Sequence, residues 1–198
     1  MRILVDGALE EVISCIENLN EKSVLDIFAR QGDWNSHIIY SQCLKMECWE
    51  IDEKFREKLK SNLPKCEIKI MDSIQTINNY NSNKKYDILF IDNSLGIYGK
   101  NQYCEHFDFL GNSKNLLRKG GYLIFNVNIK PFEGKNYEKY IERRSKFYGV
   151  DSKELSLDFM LDFYKKVFNL KSQSSIKAFP REKINNKVYL YFFLLKME

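Results

Sequence analysis

What the sequence lacks narrows it first. There is no Cys-x-x-Cys pair, and the five cysteines, Cys15, Cys43, Cys48, Cys66 and Cys104, are odd in number. Neither a disulfide framework nor a zinc site fits that pattern, so buried free thiols are expected. No long apolar run occurs either: the longest, residues 189–195, is far shorter than the roughly 20 residues that span a bilayer. At the N-terminus Arg2 and Asp6 bracket only three apolar residues, which is not a signal-peptide pattern, and a soluble cytoplasmic protein is expected. Glycine is scarce where a dinucleotide enzyme needs it. The loop after the first candidate strand holds only Gly32, too few to cradle a pyrophosphate, which disfavours a dehydrogenase.

What is present suits one domain with a proper core: 198 residues, 44% hydrophobic and 29% charged. The net charge of +4 is unevenly placed. Residues 1–129 carry 16 basic and 18 acidic side chains, whereas 130–198 carry 15 basic and 9 acidic. A basic C-terminal third attracts phosphates through counterion release, although a lysine- and asparagine-rich composition can also reflect base content alone.

The apolar periodicity predicts alternating helices and strands. Ala8, Val12, Ile13, Ile16 and Leu19 recur at helical spacing over 7–20. Val24, Leu25 and Ile27 form a short β-favouring run with Asp26 near its end, followed by a loop and a helix over 33–43. Residues 45–50, ending in Glu50, make a second strand; a helix over 53–63 is stopped by Pro64; residues 67–71 make a third strand, ending at Asp72-Ser73. Residues 86–92, YDILFID, read as a central strand buried on both faces. A helix over 103–117 is expected to stop at Arg118-Lys119-Gly120-Gly121 before a strand over 122–127. A helix over 155–168 precedes a hairpin of strands 175–179 and 188–195 around a polar turn, 181–187. Cys104 and His106 could in principle pair as nucleophile and base, but two positions so close on one helix would point apart.

Asp26 with Gly32, Glu50 24 residues later, Asp72, Asp92 and the Gly120-Gly121 approach together resemble the class I S-adenosylmethionine-dependent methyltransferases. In their first motif an acid is followed by glycines at alternate positions. Here those positions fall on Phe28, Arg30 and Gly32, so only one glycine survives. The resemblance implies an α/β fold with a doubly wound, mostly parallel seven-stranded sheet, helices on both faces and an antiparallel last strand. It implies one domain over 1–198, with a helical insertion at 130–170 for substrate selection.

It also implies S-adenosyl-L-methionine as cofactor, held by Asp26, Phe28, Gly32, the ribose-binding Glu50, Ile51 beside the adenine, and Asp72 with Ser73 at its amino group. Asp92 and Asn93 would face the acceptor as the catalytic pair. After Asp92 the chain reads Asn93-Ser94-Leu95 without prolines, which disfavours base N-methylation. Asn126 and Asn128 are poor ligands for a hard cation, so no metal is expected. Tyr98, in the glycine-flanked loop 96–99, is placed to stack on a flat acceptor. Basic residues including Arg143 and Arg144 alternate with aromatic ones over 135–148, a mixture suited to nucleic acid. The expected activity is methyl transfer to a polar acceptor, leaning to nucleic acid. A small-molecule methyltransferase, or a degenerate binding or assembly subunit with Phe28 and Arg30 crowding the pocket, are the alternatives.

Overall fold

The computed structural model describes residues 2–4, 7–33, 35–92, 97–98, 103–104, 106–130 and 137–198; for 2–4, 97–98 and 103–104 it describes the backbone alone. Asn93, the glycines of the 96–99 loop and the side chains of Tyr98 and Cys104 lie outside the described residues.

The elements are β1 (Arg2–Leu4), α1 (Ala8–Ser14), β2 (Ser23–Ile27), α2 (Asn35–Tyr40), β3 (Lys45–Glu50), α3 (Arg56–Asn62), β4 (Glu67–Ile70), α4 (Ser73–Asn78) and β5 (Tyr86–Ile91). They continue with β6 (Ile97–Tyr98), β7 (Tyr103–Cys104), α5 (Leu110–Ser113), β8 (Leu117–Asn128), α6 (Glu138–Tyr148), α7 (Leu157–Val167), β9 (Ile176–Ile184) and β10 (Lys187–Lys196). The main sheet runs β1-β9-β10-β8-β5-β2-β3-β4. Neighbouring strands from β4 to β8 pair in parallel, and β10 is antiparallel to both β8 and β9. The expected seven strands are there, and the short β1 adds an eighth, antiparallel to β9.

Strand alternation divides the core. Leu25, Ile27, Leu89, Ile91, Leu123 and Phe125 face one apolar cluster, which includes Met160 and Tyr164 of α7. Val24, Met46, Cys48, Ile88, Phe90 and Ile124 face the other, with Leu9 and Val12 of α1 and Leu59 of α3. No helix among the described residues is long and apolar enough to cross a membrane.

Three expectations need correction. The helix over 103–117 is replaced by β7, paired with β6, and by a helix limited to Leu110–Ser113. Gly111, Asn112 and Ser113 are poor helix formers, and the segment turns instead. The turn over 181–187 shrinks to Asn185-Asn186, both left-handed at φ 49° and 64°, a two-residue hairpin loop that lets β9 run on through Arg181 and Glu182. The thiols are free, but of Cys15, Cys43, Cys48 and Cys66 only Cys48 is buried.

The loop after β2 answers the glycine question. Phe28, Arg30 and Gly32 have φ of 70°, 50° and 67°, so all three glycine positions of the motif are left-handed although two carry side chains. Such a conformation costs a non-glycine residue about 1–2 kcal/mol. Backbone bonds hold it: the N–H groups of Phe28 and Ala29 both donate to the Trp49 carbonyl, at 3.1 and 3.2 Å. Gly32 is required by packing as well, since a Cβ there would lie 2.7 Å from Leu63 Cδ1.

Arg30→Gly is therefore expected to be neutral or to stabilise by up to about 1 kcal/mol. Gly32→Ala should destabilise by about 1–3 kcal/mol. Urea denaturation of the two variants reads both signs, and equal effects would rule out this account of the loop.

Candidate functional site

Alternation along β2, β3, β5 and β8 puts Asp26, Glu50, Asp92 and Asn126 on the same face as Val24, Met46, Phe90 and Ile124. Asp26 is level with Cys48 and Phe90 on its two neighbours. Glu50 and Asp92 thus flank it two residues, or about 7 Å, further toward the carboxyl edge. The three carboxylates lie near enough for Asp92 and Glu50 to act on Asp26 by charge, at the strand ends where an open α/β sheet has its crevice.

Each has a different environment. Asp26 is 1% exposed, and its carboxyl oxygens make no hydrogen bond of ordinary geometry, only a weak contact from the Ser36 hydroxyl. Burial pushes its pKa well above the usual carboxylate range, the Ser36 hydroxyl of α2 works against that, and the charges of Asp92 and Glu50 add to it. Glu50 accepts from the backbone N–H of Arg30 at 2.7 Å and of Asp52 at 2.9 Å, so it clamps the left-handed loop to the end of β3. Asp92 is held from three sides: Asn35 Nδ2 donates at 2.6 Å, Asn126 Nδ2 at 2.8 Å and Arg181 Nη1 at 2.5 Å. Arg181 starts on β9, lies over the Phe192 ring of β10 at 4.7 Å, donates to Asn126 Oδ1 at 2.5 Å and ends on Asp92. Its guanidinium thus crosses two strands.

The other sequence-predicted residues fall around this crevice or away from it. Phe28 packs on the opposite apolar cluster, its ring centroid 5.5 Å from that of Phe109 in an edge-on contact, so it turns away from the carboxylates. Ile51 is 64% exposed directly after Glu50. Asp72 caps α4, accepting from the N–H groups of Ile74 and Gln75 at 3.0 Å each, and Ser73 is buried beside it. Arg143 pairs with Asp108 at 2.5 Å, and Arg144 is fully buried, donating to the Asn128 carbonyl and to Ser152 Oγ. Tyr140 and Tyr148 are buried, and Phe147 stacks on Phe107 at 4.2 Å. Arg144 and the rings of Tyr140 and Tyr148 are thus spent on packing, whereas Lys139 and Lys146 are exposed and Arg143 is half-buried against Asp108.

Sequence reading missed Arg181, which sits in an expected turn, Asn35, and Asn126, read only as a poor metal ligand. His106 was set aside with Cys104. It is 1% exposed, and its Nε2–H donates to the Asn126 carbonyl at 2.9 Å, which leaves Nδ1 as a buried, unpartnered lone pair. Burial lowers its pKa to about 4, against the pull of that carbonyl and of Asp92, so the ring is neutral at pH 7.

No protein-family model matches the sequence, and no curated protein matches it significantly. Solved structures do match its shape. SMU.776, complexed with SAH, superposes with a TM-score of 0.62 at 12% identity over 98% of this chain and 50% of that one. The chain therefore spans half the length of that protein. The 1,6-didemethyltoxoflavin-N1-methyltransferase of Burkholderia thailandensis, with bound 1,6-didemethyltoxoflavin and S-adenosylhomocysteine, gives 0.60 at 10% identity over 97% and 77%. A TehB-like SAM-dependent methyltransferase from Corynebacterium glutamicum gives 0.54 at 11% over 96% and 87%. The fold is that of the class I methyltransferases. Within this methyltransferase fold the crevice of Asp26, Glu50 and Asp92 lies at the carboxyl ends of the parallel strands, outside which open α/β sheets bind their ligands.

Two outcomes follow. Arg181→Met leaves Asp92 as a nearly buried, uncompensated charge and should destabilise by about 3–5 kcal/mol, while adding Asp92→Asn should recover roughly half or more of that loss in urea denaturation. For Asp26 the folded pKa lies above the unfolded value, so the folded state binds the extra proton. Its contribution to stability is present below the usual carboxylate pKa and is lost as pH rises through the raised one. Asp26→Asn should therefore raise Tm at pH 7 and lose that advantage near pH 4; a gain that is constant with pH would contradict the assignment.

Proposed function

We propose that the chain binds S-adenosyl-L-methionine over the carboxyl ends of β2 and β3 and serves methyl transfer to a small polar acceptor. The observation that carries this is Asp26: a buried carboxyl group with no charged partner and only a weak contact from Ser36, flanked by two more carboxylates, matches a ligand bearing positive charge. The methionine end of that cofactor carries an ammonium and a sulfonium. Two of the similar structures hold its demethylated product, which supports the same ligand here.

When bound, the cofactor supplies an electrophilic methyl group. On this reading Asp26 balances its cationic end, and Glu50, whose two backbone bonds leave further acceptor positions, takes the ribose hydroxyls. Ile51 offers an exposed apolar surface to the base, and Asp72 with Ser73 lies at the next strand end for its amino group. Asp92, with Asn93 after it, positions the acceptor; held by Arg181, Asn35 and Asn126, its carboxylate is fixed in place. Alignment of the acceptor then contributes most of the acceleration. A small molecule is favoured over nucleic acid because Arg143 and Arg144 are occupied within the fold. A cofactor-binding protein without transfer is the second reading, favoured by the neutralisation of Asp92.

In calorimetry, S-adenosylmethionine affinity should rise with pH until the raised Asp26 pKa is passed, because a cationic ligand favours the carboxylate and expels its proton. Asp26→Asn should flatten that profile, and Ile51→Asp should weaken binding about tenfold with Tm unchanged. No binding by the wild type overturns the reading. Labelled cofactor incubated with cell extract should mark small molecules; label in RNA or DNA would make nucleic acid the acceptor, and binding without any label would leave the second reading.

A further inference from the structure

A second concavity lies on the same edge of the sheet, beyond Arg181. It has a volume of about 600 Å³ and sits between the end of β8 and the tip of the β9–β10 hairpin. Its walls include Ile129, Val188 and the buried ring of Tyr189, and Lys130, Lys153 and Lys187 also line it. All three lysines are exposed, and no described carboxylate pairs with any of them. Asp151 accepts from the backbone N–H of Lys153 at 2.9 Å, and Glu182, buried under the hairpin, accepts from the Tyr189 hydroxyl. The volume is that of a small-molecule site.

We propose that this cavity binds an amphipathic organic anion, its apolar body against Ile129, Val188 and Tyr189 and its carboxylate, sulfonate or phosphate group among the three lysines. Three ammonium groups around an apolar hollow attract such a ligand over distance and hold it by charge-assisted hydrogen bonds. A neutral apolar molecule gains only the walls; an inorganic anion gains only the rim. Taken with the methyl-transfer reading, on which this one step rests, the cavity makes the acceptor or part of it an organic anion held at the far end of the active edge. The anion chemistry itself does not depend on that reading.

The test uses the full chain and 1-anilinonaphthalene-8-sulfonate, an aryl anion whose fluorescence reports an apolar site. Saturable binding at one site is expected, weakened about tenfold or more by the Lys153→Glu, Lys187→Glu double variant and by 0.5 M salt. Val188→Trp, which fills the hollow, should weaken it as much, and the uncharged N-phenyl-1-naphthylamine should bind at least about tenfold less tightly. S-adenosylhomocysteine affinity, measured on the same variants, should be unchanged. Equal binding of the neutral probe, no effect of charge reversal, or displacement of the anion by S-adenosylhomocysteine would each overturn the proposal. Failure of S-adenosylhomocysteine to bind the wild type would remove the cofactor reading and leave the anion site standing.

Discussion

The grip of Glu50 on the loop after β2 is the contact on which the crevice depends. One carboxylate at the end of β3 receives an N–H from Arg30 in that loop and another from Asp52 beyond its own strand, while the Trp49 carbonyl takes two more from Phe28 and Ala29. Four backbone donors that would otherwise face the crevice unpaired are thereby satisfied. The loop can then hold three left-handed residues, two of them not glycine, and Asp26 stays recessed beneath it.

That arrangement also explains how charge is distributed over the crevice. Of the three acids on one face, Glu50 is satisfied by backbone dipoles, Asp92 by a guanidinium and two amides, and Asp26 only by a weak contact from the Ser36 hydroxyl. Placing Arg181 against Asp92 and not against Asp26 leaves the uncompensated electrostatic demand at the centre of the crevice. Buried ion pairs contribute little net stability, but one that spans β9, β10, β8 and β5 fixes the relative position of strand ends that no single loop connects.

The parallel half of the sheet was legible in the sequence because it obeys short-range rules. Lys45–Glu50 ends where the sequence puts it, α3 stops before Pro64, and β4 closes just short of Asp72-Ser73. The convergence of Asp26, Glu50 and Asp92 could be read because strand parity alone sets it. Other features were hidden for identifiable reasons. Missing glycines at 28 and 30 looked like a lost motif, yet φ is set by tertiary hydrogen bonds as well as by residue type. Arg181 is separated from Asp92 by 89 residues, and no local pattern announces that pairing. The aromatic and basic residues of α6 read as a surface because helical spacing shows that a stripe exists without showing what covers it; Arg144 and Tyr140 turn out to be buried with it.

The uneven charge along the chain acquires a spatial meaning in this fold. The N-terminal two thirds, slightly acidic, supplies β2, β3 and β5, and with them the three carboxylates at one end of the sheet's carboxyl edge. The basic remainder supplies Lys130, Lys153 and Lys187 around the cavity at the other end. Arg181 lies between the two, neutralising the carboxylate nearer the basic end and so keeping the fields of opposite sign apart. At physiological ionic strength charges separated by more than about 8 Å are largely screened, so each end acts on what binds it without cancelling the other. The cation proposed at β2 and β3 and the anion proposed at the hairpin are then compatible on one face.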